Sequence, residues 1–144
     1  MVIWSTLEGS CPVCTQRLRL RQVGSGFVLG QDSDLFLRMR GRHIVQAEIH
    51  TCLRCHYSGY DTDFLLDLQA DIKSEFLEHV SAALRKRRLP GEDARPSLHR
   101  TPLPDIQYYW SAKSAEALGL LPYEQGERWL RAYWCLRVAP SAHL

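Results

Sequence analysis

Four of the five cysteines of this chain form two Cys-x-x-Cys pairs, Cys11-Pro-Val-Cys14 and Cys52-Leu-Arg-Cys55, with 37 residues between the pairs. A thiolate is a soft anionic ligand, and four of them close a tetrahedron around Zn²⁺ at Zn–S distances of about 2.3 Å. Two residues between the cysteines of a pair let one turn aim both sulfurs at a single point. Two such turns at the ends of neighbouring strands complete the shell. Other chemistries of paired cysteines fit less well. Structural disulfides need an oxidising compartment. A redox Cys-x-x-Cys normally stands alone on a thioredoxin-like βαβ frame, which this pattern lacks. Iron of the rubredoxin kind shares the same four-sulfur preference and stays open. A catalytic zinc keeps one open position, and four cysteines leave none. The His-x-Glu partner of the zinc deaminases does not precede either pair. His50 and His56 flank the second pair and are read as neighbours of the ligands. Cys135, in a helical stretch, is read as a small apolar side chain.

The 144 residues suit one domain, or a small domain with a helical appendage. Hydrophobic content is 45% and charged content 24%, the composition of a chain able to build a core. No apolar run reaches the ~18 residues of a membrane span. The opening "MVIWSTLEGS" has neither the basic nor the apolar region of a secretion signal. Cys-x-x-Cys pairs and no signal together predict a reducing cytoplasm. The net charge of +2 is unevenly spread. Residues 1–60 carry seven Arg against four Asp/Glu, and residues 61–83 carry six Asp/Glu against one Lys. Residues 84–100 are basic again, with six Lys/Arg against two acids.

Residues 1–60 are expected to form a small β domain around the cysteines. "QRLRLRQV" alternates Arg17, Arg19 and Arg21 with Leu18 and Leu20, the period of a half-buried strand. "FVLG" and "HIVQAEIH" (43–50) are read as two more strands, the second leading to Cys52. The periodicity then changes. Phe64, Leu68, Ile72, Phe76, Val80 and Leu84 recur every four residues, predicting one amphipathic helix over 61–89 with Asp61 and Asp63 as acids at its start. Four prolines mark a linker over 90–104. A helical hairpin is expected over 105–139, with Asp105 as N-cap of the first helix and Gly119 ending it. The fold class is α+β: an antiparallel zinc ribbon, a long helix packed on it, and the hairpin.

These motifs resemble the bacterial family catalogued as domain of unknown function 2225. "CPVC", "GQDSDLFLRM" and "CLRCHYSGYDTDF" match its first cysteine pair, its Asp-Ser-Asp segment (Asp32 and Asp34 here) and its second pair. "RWLRAYWCLRVA" resembles its later, tetratricopeptide-like helix. The resemblance implies that Cys11, Cys14, Cys52 and Cys55 are the metal ligands, and it carries no activity. Thr15 and His56 stand where zinc knuckles usually place glycine, a position that favours positive φ.

Three function classes follow. As an interaction module, the chain would offer Tyr109, Trp110, Trp129, Tyr133 and Trp134 as anchors to a protein partner, large aromatic groups being over-represented at interface hot spots. As a nucleic-acid binder, it would use Arg17, Arg19, Arg21, Arg38, Arg40 and Arg42 on strand faces against phosphate. Catalysis is the least supported reading: no nucleophile–base motif or phosphate loop stands in the sequence, and no small-molecule substrate is evident. The expectation is a non-catalytic binding protein with one structural Zn²⁺. Loss of that ion is expected to disorder residues 11–60 while the helices partly persist.

Overall fold

The computed structural model describes residues 3–25, 28–39, 43–86 and 103–142. Three two-stranded antiparallel sheets come first: β1 (Ile3–Ser10) with β2 (Arg17–Ser25), β3 (Val28–Gln31) with β4 (Leu37–Met39), and β5 (His50–Thr51) with β6 (Ser58–Gly59). Apart from one helical turn between β4 and β5, the helices follow, ending in the hairpin α4 (Pro104–Ala117) and α5 (Pro122–Ala142). The architecture is α+β, as the change of periodicity implies.

In the first hairpin Leu20 is fully buried while Arg17 and Arg19 face solvent, so the strand alternation is realised. β1, not anticipated from the sequence, pairs along the whole of β2, with Leu7 opposite Leu20 and Glu8 opposite Arg19. Gly9 lets the buried Leu20 approach: a Cβ there would stand 3.1 Å from the Leu20 side chain.

Two expectations are corrected. Residues 43–50 are not a strand. They form one helical turn, α1 (Ile44–Ala47), followed by an extended exit into β5. The alternation is genuine, since Val45, Ala47 and Ile49 are all buried. The cap decides the local conformation: His43 Nδ1 accepts from the Val45 amide at 3.0 Å, and its Nε2 meets the Leu37 carbonyl at 2.6 Å. A carbonyl only accepts, so Nε2 carries the proton and His43 must stay neutral to cap the turn. Burial lowers its pKa accordingly. The unfolded chain takes up a proton near pH 6.5 that folded His43 resists. Stability should therefore fall as pH drops below 6.5. Denaturant midpoints at neutral and mildly acid pH should show a shallower fall for His43→Asn than for the unaltered chain; equal slopes would remove His43 from the account.

The helix expected over 61–89 is also interrupted. A 3₁₀ turn (Thr62–Leu65) is followed by extended Leu66, and the helix proper begins at Ala70. It runs as α2 (Ala70–Glu75), a π-helical segment (Phe76–Ser81) and α3 (Ala82–Lys86). Phe64 and Phe76 explain the break. Both rings pack edge-on against Tyr57, at 5.1 and 5.6 Å. In one continuous helix they would be about 18 Å apart.

The hairpin begins one residue early, with Pro104 in the first turn and Leu103, not Asp105, at the N-cap. α4 ends as expected. Gly119 adopts φ +69°, and the Gly119 and Leu120 amides return to the Glu116 and Ala115 carbonyls, a Schellman closure. Glu124 reaches back to the Leu121 amide and caps α5. Of the 90–104 linker, only Leu103 and Pro104 fall within the described residues. No described helix is long and apolar enough to cross a membrane.

Candidate metal centre

Each cysteine pair forms the tip of a β-hairpin. Cys11 to Gln16 joins β1 to β2, closed by a 2.8 Å bond from the Cys11 amide to the Gln16 carbonyl. Cys52 to Tyr57 joins β5 to β6, closed by the equivalent 2.8 Å bond from Cys52 to Tyr57. Inside each turn the fifth residue bonds back to the first, Thr15 to Cys11 at 2.9 Å and His56 to Cys52 at 2.8 Å. Thr15 and His56 take φ +67° and +68°, the left-handed conformation expected of those positions. The two turns are therefore near copies of one another, and neither is distorted by its non-glycine residue.

The left-handed region is disfavoured for a β-branched residue, at a cost of about 1–2 kcal/mol. Thr15 is exposed. Thr15→Gly should relieve that strain and stabilise the metal-loaded protein by about 1 kcal/mol, read as a raised melting temperature with unchanged metal content. No gain would mean that the Thr15 hydroxyl bond to the Cys14 carbonyl offsets the strain.

The hairpins face each other. The Arg21 amide donates to His50 Nε2 at 2.6 Å and ties β2 to β5. The four sulfurs then converge, all within 4.8 Å of one another. Cys11 and Cys55 stand 3.5 Å apart and Cys14 and Cys52 3.4 Å, close to the edge of about 3.8 Å of a zinc–thiolate tetrahedron. All are free thiols, and three of them, Cys11, Cys52 and Cys55, are buried. Hydrogen bonds from Cys11 and Cys55 hold the Cys52 thiol far below its ordinary range. Cys11 and Cys55 are pushed up, chiefly by the shared hydrogen bonds and then by burial. One thiolate is comfortable here and further ones repel, which is the electrostatic demand a divalent cation meets. Backbone amides of Val13 and Cys14 face the Cys11 sulfur, and those of Arg54 and Cys55 face Cys52. The donor set and its spacing fit one tetrahedrally held metal ion.

The cluster is part of the core. Cys11, Cys52 and Cys55 pack with Val13, Leu20, Tyr57, Phe64 and Phe76. His50 and His56 lie beside it, as expected. Burial lowers the His50 pKa to about 4, so the ring is neutral. His56 stands edge-on to Trp110 at 4.9 Å. Cys135 is 2% exposed, in a second cluster with Val45, Ile49 and Tyr108.

Two further arrangements were not legible in the sequence. Asp63, read as a helix-start acid, accepts a two-pronged contact from Arg128 of α5 at 2.9 and 3.0 Å. Arg128 is 4% exposed and also donates to Ser111 Oγ at 3.0 Å and the Glu124 carbonyl at 2.9 Å. The Asp63 carboxylate takes the Tyr60 amide as well, and its backbone carbonyl takes the Tyr57 hydroxyl. Gly59 makes room, for a Cβ there would meet Asp63 at 2.4 Å. The Asp-Ser-Asp segment also acquires a role. Asp32 and Asp34 both accept from Arg137 near the end of α5, while Arg137 lies over the Phe36 ring at 4.2 Å.

The candidate anchors divide. Trp110 is corrected: at 7% exposed it belongs to a core cluster with Leu84 and Ile106. Tyr109 is half-buried against Trp129, and Trp134 is half-buried against Phe36. Trp129 and Tyr133 face solvent at 44% and 53%. Among the arginines, Arg17 and Arg19 are exposed beside a cleft of about 300 Å³. Arg21 is half-buried and reaches the Ile49 carbonyl, and Arg38 pairs with Asp32. Arg40 and Arg42 lie outside the described residues.

Four cysteines converging at the tips of two facing hairpins, packed under a helical hairpin, define an α+β module of the zinc-ribbon kind that could hold one metal ion. The chain belongs to the family of uncharacterised proteins conserved in bacteria known as DUF2225, whose model matches residues 6–140. Comparison with curated proteins and with solved structures gave no match.

Proposed function

We propose that this protein is a non-catalytic module whose metal is structural Zn²⁺, and that it acts as a protein–protein adaptor or subunit of a larger assembly in the bacterial cytoplasm. Four sulfurs close the coordination shell and leave no position for substrate or water. The observation that carries the interaction reading is the outer face of α5, where Tyr123, Trp129, Leu130, Tyr133 and Leu136 are 39–70% exposed. Exposed apolar surface of this extent on one helix marks an interaction site. The test is purification of the tagged protein from its own cells, with half of the sample treated with nuclease. A stoichiometric protein partner that survives nuclease and is lost with Tyr133→Lys supports the adaptor. Metal analysis of the same sample should return one zinc per chain; iron would overturn the zinc assignment.

Nucleic-acid binding is the second reading, favoured by the side-by-side exposure of Arg17 and Arg19 on β2. Glu8, opposite Arg19, weakens that face. Under this reading the purification yields nucleic acid, and changing Arg17 and Arg19 to Glu removes it while Tyr133→Lys does not.

A further inference from the structure

The helical run from Ala70 to Lys86 and α4 leave a cleft of about 410 Å³ between them. Their directions are opposed. Leu84 clusters with Ile106 and Trp110 near the start of α4, whereas the cluster of Phe76 receives Leu118 from its end. The cleft therefore has two unlike ends. At one, Ala83, Leu84 and Tyr109 present apolar surface. At the other stand Glu75 of α2 and Glu116 of α4. Ala83 and Ala117, one on each wall, are both exposed and keep the space open. An apolar cleft of this volume with a few polar groups at one end has the character of a small-molecule site.

Two further observations bear on its use. The π-helical segment Phe76–Ser81 supplies His79 and Val80 to one wall. Such segments are rare and recur where a helix borders a functional site. Charge then selects the ligand. Lys113 is answered by Glu116 at 3.4 Å, and His79 by Glu78 at 4.0 Å. Glu75 makes no ion pair among the described residues. Glu75 and Glu116 against Lys113 leave one negative charge at that end of the cleft, a field that draws in a cation.

We infer that this cleft binds a small apolar amine, with its hydrocarbon body against Leu84 and Tyr109 and its ammonium group at Glu75 and Glu116. The site does not depend on the partner proposed for α5. The test is isothermal titration of the metal-loaded full chain with naphthylmethylamine, a cation at neutral pH, and with naphthoate, an anion on the same ring system. The amine should bind one site per chain with a dissociation constant of roughly 0.1–1 mM, the range open to a ligand of its size. Naphthoate should bind roughly five-fold more weakly, attraction to Glu75 being exchanged for repulsion. Glu75→Gln should weaken the amine about three-fold and leave naphthoate no weaker. Ala83→Trp fills the cleft and should remove binding with melting temperature and metal content unchanged. Ala117→Trp fills it from the other wall and serves if the first variant folds poorly. Tyr133→Lys should leave amine binding as it was. Absence of amine binding overturns the inference, as does binding that survives both tryptophan variants. Binding lost in Tyr133→Lys and kept in Ala83→Trp puts the probe on α5 and overturns it too. Equal affinity for amine and naphthoate overturns the choice of a cation. A protein partner lost from cells with Ala83→Trp, in a chain that binds no amine, overturns the ligand site and gives the cleft to the adaptor surface.

Discussion

Replacing Cys52 by Ser should abolish the cooperative unfolding transition of the whole chain, helices included. Structural zinc in small sites contributes on the order of 10–16 kcal/mol at neutral pH. The entire stability of a domain is only about 5–15 kcal/mol. Losing such an ion would therefore be enough to unfold the chain. The expectation from sequence, that the helices partly persist, is changed by the packing beneath them. α4 rests on the second metal hairpin: the Ser58 amide reaches Ser114 Oγ at 3.4 Å, and Gln107 reaches Thr51 Oγ1 at 3.1 Å. Tyr108, fully buried, donates to the Val45 carbonyl at 2.7 Å. Phe76 joins the helix after Ala70 to the same cluster as three of the cysteines. Circular dichroism with metal analysis checks this result. A Cys52→Ser protein with full metal content and an unchanged melting profile would remove the metal centre itself. One that loses metal but keeps a sharp helical transition would show that α4 and α5 fold independently.

The second large effect is at Arg128. Its side chain is 5% exposed and that of Asp63 14%, so this pair is held out of water. Removing one partner from a buried pair leaves an uncompensated charge and costs roughly 3–5 kcal/mol. Arg128→Met should lose that much, lowering the denaturant midpoint with little change in slope. Asp63→Asn should cost less than Arg128→Met, since an amide oxygen can still accept from Tyr60. The double variant should cost less than the two singles together, because neither charge is then stranded. Strict additivity in that cycle would mean the pair contributes nothing beyond packing. Metal content is a second readout. Asp63 follows the second hairpin by a few residues and braces it through Tyr57 and Tyr60, so Arg128→Met should also speed loss of the ion to a chelator.

The legible and illegible parts of this protein differ in the range of the interactions that produce them. The metal centre could be read because its information is local. Two residues between two cysteines make a turn, and the type of ligand selects the metal class before any fold is known. Even the left-handed φ of Thr15 and His56 was implied by their place after each pair. The alternation of Arg17, Leu18, Arg19 and Leu20 and the Gly119 stop were legible for the same reason, since strand pleat and helix cap depend on near neighbours. The strand expected over 43–50 and the unbroken helix over 61–89 failed where a distant partner overrode a local pattern. His43 capped a turn against Leu37, and Tyr57 drew Phe64 and Phe76 to one place. The pairing of Asp63 with Arg128 spans 65 residues, and those of Asp32 and Asp34 with Arg137 span more than a hundred. Nothing in either segment alone marks such a partner. The division of the aromatics was decided the same way: Trp110 and Trp129 look alike in sequence, and only the packing of α4 against Leu84 of α3 and His56 of the second hairpin buries one and leaves the other partly in water. Residue type and spacing by themselves determined that this chain carries four cysteines able to hold one metal ion together. Which of its apolar side chains stay in water was decided only when the tertiary structure had packed the rest.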